Sequence, residues 1–191
     1  NRLEVDDPPA IILDVFLAFA QMRYSDGASD TVIPSVERML RLARVVGDDL
    51  RAASLDALAG EMQFAMVRSP ESRRRIEGAI AKLRAMNKPR DLARELAAYA
   101  MLLPDINEYA LAMRLSNEAV RLVAFEPDPL SSLVFSVLYA QAEMLRLVGD
   151  ADAALASAKT LVARAERSIN SEFIGFAQHS LARTVRNQGQ K

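Results

Sequence analysis

Cysteine and tryptophan are both missing from these 191 residues, histidine occurs once, and aromatic side chains make up only 6%. Without cysteine there is no disulfide framework and no thiolate metal site. The lone His179 supplies neither a histidine-rich metal centre nor a recognisable catalytic triad, and it is expected as a partly exposed helix residue. An excess of one charge is also missing: 24 basic residues stand against 25 acidic ones, a formal charge of −1. Such a balance sets up no long-range field toward nucleic acid, so direct nucleic-acid binding is not expected. Long apolar runs are absent as well. The most apolar window, AIILDVFLAFAQM from Ala10 to Met22, makes about 20 Å of helix against a ~30 Å hydrocarbon core, so membrane insertion by this segment is not expected. No glycine-rich phosphate loop, HExxH or nucleophile elbow appears, and no carboxylate spacing suggests acid–base work. The chain is read as a non-enzyme with no metal and no cofactor.

What dominates instead is alanine, leucine and arginine, among the best helix formers. Helix breakers divide the chain into nine helical stretches. The first runs from about Pro9 to Arg23 and ends in the turn-rich YSDGASD. The second runs from about Thr31 to Gly47, a left-handed C-cap, and Asp48 or Asp49 caps the third, DLRAASLDALAGEMQFAM. Ser69-Pro70 starts the fourth, which halts at Asn87, 40 residues after Gly47. The fifth, RDLARELAAYAMLL, is cut by Pro104, and the sixth, INEYALAMRLSNEAVRLVAF, is stopped by Pro127 and Pro129. The seventh starts near Ser131-Ser132 and closes at Gly149, the eighth follows Asp150, and the ninth, EFIGFAQHSLARTVRNQ, meets Gly189. No stretch alternates as a strand would. Arg73, Arg74 and Arg75 read as a solvated face, compensated in part by Glu71 and Glu77.

The stretches repeat. Ala18, Ala59, Ala100, Ala142 and Ala182 follow one another at steps of 41, 41, 42 and 40, and Met39, Ala79, Ala119 and Leu161 interleave with them at steps of 40, 40 and 42. Two helix registers sharing one period predict an all-α solenoid of stacked helical hairpins. Short links pair the first stretch with the second, the third with the fourth, the fifth with the sixth and the seventh with the eighth.

Leu138, Ala142, Leu145, Gly149-Asp150, Ala154-Leu155, Ala158 and Leu161 form the best-preserved repeat. It resembles the tetratricopeptide repeat (TPR), with a small residue where the helices cross, a Gly-Asp turn and Ala-Leu in the second helix. Leu55, Leu58, Ala59 and Met62 repeat the first-helix pattern, as do Leu96, Tyr99, Ala100 and Leu103; Ala112, Ala119 and Val120 repeat the second. The period of about 41 exceeds the usual TPR length of roughly 34, which keeps a HEAT-like array open as an alternative. The resemblance implies a right-handed superhelix of about four TPR-like hairpins plus a ninth helix, one repeat domain over residues 1–191, expected as part of a longer protein. RLARVVGDD, from Arg41 to Asp49, resembles repeat junctions of bacterial signalling proteins. It implies a protein-interaction or sensory module of a bacterial regulatory protein, cytoplasmic or periplasmic, with a small-ligand sensor or a structural scaffold as alternatives.

In TPR proteins the first helices line a concave groove. Carried over to this chain, that role falls on Ile12, Val15, Phe19 and Met22, on Asp56, Gly60, Gln63 and Phe64, on Arg94, Ala97 and Met101, on Ser136, Tyr139, Glu143 and Arg146, and on Phe176, His179, Arg183 and Arg186. The resemblance thus implies a groove that takes a peptide or partner protein, or an acidic small ligand near Arg146, Arg183 and Arg186. Against this stands pairing on the helix surface, as of Arg146 with Glu143 at i,i+3. The first helix is apolar around most of its circumference and needs cover beyond its hairpin partner. Homodimerisation or partner contact is expected there, through Ile11, Ile12, Val15, Phe16 and Phe19.

Overall fold

The computed structural model describes residues 29–168 and 170–189, and all regular structure among them is helical. The predicted first helix, with Ile11, Ile12, Val15, Phe16 and Phe19, lies outside the described residues. The chain divides at Lys88 into two compact units. The first contains α1 (Ser29–Val45), α2 (Asp49–Val67) and α3 (Pro70–Ala85). The second contains α4 (Pro89–Leu102), a 3₁₀ turn (Leu103–Ile106), α5 (Tyr109–Val123), α6 (Ser132–Val148), α7 (Ala151–Arg167) and α8 (Ser171–Gln188).

One turn recurs at the joints. Gly47, Asn87, Asn107 and Gly149 all take left-handed backbone, with φ of 73, 52, 63 and 83°. After each, an N–H reaches back five residues: Asp48 to the Ala43 carbonyl, Lys88 to Leu83, Glu108 to Leu103 and Asp150 to Leu145. This hydrogen bond satisfies a carbonyl that the ending helix would leave bare. Asp48 and Asp150 then accept from the N–H groups of Arg51 and Ala153, capping the next helix at once. Ser69 caps α3, with Pro70 in its first turn, and Ser131 caps α6. Asn107 is the joint that the sequence pattern did not mark. Because it turns left-handed after the 3₁₀ segment, α5 starts at Tyr109 and not at Ile106.

In the first unit, Val36, Met39, Leu40 and Ala43 of α1 pack with Leu55, Leu58, Ala59 and Met62 of α2. Ile76, Ala79, Ile80 and Leu83 are the buried stripe of α3. The close crossing of α2 with α3 falls at Gly60, one residue beyond the predicted Ala59. A Cβ at Gly60 would stand 2.9 Å from Ile76 Cγ1, 3.2 Å from Ile76 N and 3.3 Å from the Ser72 carbonyl. One residue is about 100° of helix rotation, so this step changes which α2 side chains face α3.

In the second unit, α4 packs on α5 and also on α6, while α6 packs on α5, α7 and α8. First helices thus touch the next first helix directly, as TPR-like stacking requires. Ala100 and Ala142 are fully buried at their crossings, and so are Ala119 and Leu161 of the interleaved series. Ala182, in the same register as Ala142, is exposed. Among the described residues no helix is long and apolar enough to cross a membrane.

Gly60→Ala should lower stability by about 1–3 kcal/mol, because the overpacking against α3 backbone exceeds the gain in helix propensity of ~1 kcal/mol. Urea unfolding of the two forms checks this; equal midpoints would show that the crossing is not tight.

Candidate functional site

The richest constellation of predicted residues lies where α6 meets α8. Glu143 is 2% exposed, and its carboxylate is the hub. Oε2 accepts from Arg146 Nε at 3.0 Å and Nη2 at 2.8 Å, and pairs with Arg183 Nη1 at 3.2 Å. Oε1 accepts from the buried Ser180 hydroxyl at 2.9 Å. With its amide turned to satisfy both ends, Asn187 donates to the Arg183 carbonyl and accepts from Arg146 Nη1, each at 3.3 Å. A buried carboxylate is tolerable because both oxygens find donors and two guanidinium groups balance the charge.

Aromatic rings flank the hub. Phe135 of α6 stacks on Phe173 of α8, with centroids 4.2 Å apart, and Tyr139 meets Phe176 edge-on at 5.9 Å. Burial, followed by the negative charge of Glu143, raises the Tyr139 pKa above its ordinary value, while Arg183 and Arg146 offset part of this. Phe176 is nevertheless 45% exposed. His179 and Arg186 are exposed beside it on α8, and Arg183 is half-buried. Tyr139, Glu143, Arg146, Phe176 and Arg183 are therefore brought together. Arg146 is spent on Glu143 and Asn187, as its i,i+3 spacing suggested, and presents little charge outward.

The other predicted positions go elsewhere. Arg94 is held by Asp91 of its own helix at 3.2 Å, and Met101 is partly exposed on α4. Phe64 is buried in the first unit. Asp56, Gly60 and Gln63 turn toward α3 because the helix crossing falls at Gly60. Gln63 accepts from Arg75 Nη1 at 3.3 Å, and Asp56 Oδ1 accepts from Arg75 Nε at 2.7 Å. Arg75 also donates to Glu37 of α1. Its burial lowers its pKa, but the hydrogen bonds to Glu37 and Asp56 outweigh that and leave it raised. The reading of residues 73–75 as a solvated face is thereby corrected at Arg75. Arg73 does pair with Glu77 along its own helix, whereas Arg75 ties three helices together. No local signal marked this, since its partners lie 19 and 38 residues upstream. Among the described residues, no group of three acidic, histidine or cysteine side chains is placed to hold a metal.

No protein-family model and no curated protein matches the chain. Solved structures do. The nearly identical TPR-like repeats assigned to a kinesin light chain of Podosopora anserina superpose with a TM-score of 0.68, at 15% identity, over 97% of this chain and 90% of that one. A single-substitution form of the same protein gives 0.69 at 15% identity, over 100% and 91%. At this identity the likeness speaks for the fold alone, and that fold is an all-α, TPR-like helical repeat. The period near 41 is thus a long TPR-like period.

Replacing Glu143 with glutamine keeps its shape and removes its charge from between two arginines. Glu143→Gln should cost about 1–3 kcal/mol and speed amide exchange in α8 more than in α5. Unchanged unfolding and exchange would mean that the hub does not secure α8.

Proposed function

We propose that this chain, read as one TPR-like repeat domain, is a protein-interaction module that takes a peptide or partner segment on the α6–α8 face. One observation carries the reading: Phe176 is held edge-on to Tyr139 yet left 45% exposed, with the cationic Arg183 and Arg186, and His179 between them and the ring, spaced along the same helix. An exposed aromatic that is already fixed in place offers contact area with little ordering cost. The cations beside it select a carboxylate. The occupant is therefore a segment with an apolar side chain next to an acidic one. The repeat fold supports the reading, since such folds work through the surfaces they present. The resemblance of the Arg41–Asp49 junction supports placing the module in a larger bacterial signalling or regulatory protein.

Selection of displayed random peptides on the full chain tests the binding face. Enriched peptides should combine apolar and acidic residues, and Phe176→Ala should weaken them by about ten-fold, as truncation of an interface anchor does. A chain that enriches no peptides, or peptides indifferent to both Phe176→Ala and Arg183→Ala, would remove this face from consideration. Dimerisation through Ile11, Ile12, Val15, Phe16 and Phe19 belongs to the same proposal. Sedimentation at tens of micromolar should then show a dimer, and a monomer there would end it.

A further inference from the structure

A separate concentration of charge belongs to the first unit. Glu37, Arg41 and Arg44 share one face of α1 at i, i+4 and i+7, and Arg75, Gly78 and Lys82 share one face of α3 at i, i+3 and i+7. Asp56 of α2 lies beneath both faces. Arg75 Nε reaches its Oδ1 at 2.7 Å, while Arg44 Nη2 and Lys82 Nζ converge on Oδ2 at 3.2 and 3.6 Å. With the Arg75 contact to Glu37, three cations thus meet two carboxylates.

Arg75, 18% exposed, is shared between Asp56 and Glu37. Arg44 and Lys82, with side chains 55% and 60% exposed, add two positive charges where one would balance the second carboxylate, and pairs so open contribute little to stability. What Asp56 does achieve is to bring two cationic heads from different helices to one point. Each engages Asp56 through one nitrogen, which leaves further N–H donors of the guanidinium and ammonium groups turned to solvent. Arg41, exposed one turn before Arg44, adds a further positive charge on the same face of α1. Room is present too: a Cβ at Gly78, one turn before Lys82, would meet no atom within 4 Å.

We propose that the mouth between Arg44 and Lys82, with Arg41 alongside, binds a small oxyanion, a phosphate group or a carboxylate. The bound group sits outside Asp56 and takes the remaining donors of Arg44 and Lys82, whose heads converge there from two helices. This site does not depend on the peptide face of α6 and α8.

Titration of the full chain with inorganic phosphate, and in parallel with acetate, tests the site by amide chemical shifts, against chloride at matched ionic strength. Saturable shifts near residues 41–45 and 78–83 are expected. Saturation by phosphate alone identifies a phosphoryl ligand, and saturation by acetate identifies a carboxylate one. Arg44→Ala and Lys82→Ala should each weaken binding roughly three- to five-fold. Gly78→Glu places a competing carboxylate in the open space and should abolish binding with the thermal melt preserved. Shifts that saturate with neither anion, or that persist unchanged in Gly78→Glu, would overturn the proposal.

Discussion

A left-handed residue followed by a hydrogen bond to a carbonyl five residues back ends four helical segments, and this turn is the constraint on which the rest of the architecture builds. A left-handed residue lets one helix end and the next begin within two or three residues, and glycine and asparagine adopt it most cheaply. Gly47, Asn87, Asn107 and Gly149 occupy those places. The hydrogen bond that each turn makes to a carbonyl five residues back fixes the last helical residue. Asp48 and Asp150 fix the first residue of the helix after. With both ends set, the rotation of each helix is set as well, and with it the side chains that meet a neighbour.

Two buried carboxylates show what that rotation decides. Glu143 points from α6 to α8, where Ser180, Arg146 and Arg183 receive it. Asp56 points from α2 between α1 and α3, where Arg75 receives it. Neither is a cheap way to hold helices together, because an apolar residue of similar size often packs at least as well. Their effect is positional: each carboxylate gathers guanidinium groups from more than one helix into a defined geometry. In the second unit that geometry leaves an aromatic ring and cations at the surface.

The helix boundaries were largely legible in the sequence because they rest on local signals. A glycine after an apolar run, a serine before a proline and an aspartate after a glycine each act within one turn of their own position. Asn107 escaped because the 3₁₀ segment through Pro104 hid the end of α4. Faces were less legible. The alanine series suggested a crossing at Ala59, whereas the space against Ile76 and Ser72 admits only Gly60. That single residue sets Asp56 and Gln63 against Arg75 of α3. Arg75 was illegible for a different reason: a run of three arginines looks solvated until helices distant in sequence supply carboxylates. The gathering of Tyr139, Glu143, Phe176 and Arg183 was visible only as a shared register, not as contact.

Nearly all packing in each unit joins helices adjacent along the chain or one apart. Such topologies have low contact order and fold quickly, hairpin by hairpin. In the first unit the link from Arg75 to Glu37 is long in reach, spanning 38 residues and crossing from α3 to α1. It closes only after α1 has met α2 and α2 has met α3. An interaction made that late has little influence on the speed of folding and a direct influence on the speed of opening. The first unit therefore keeps part of its kinetic durability in a polar clasp near its surface, and its apolar core governs how fast it assembles.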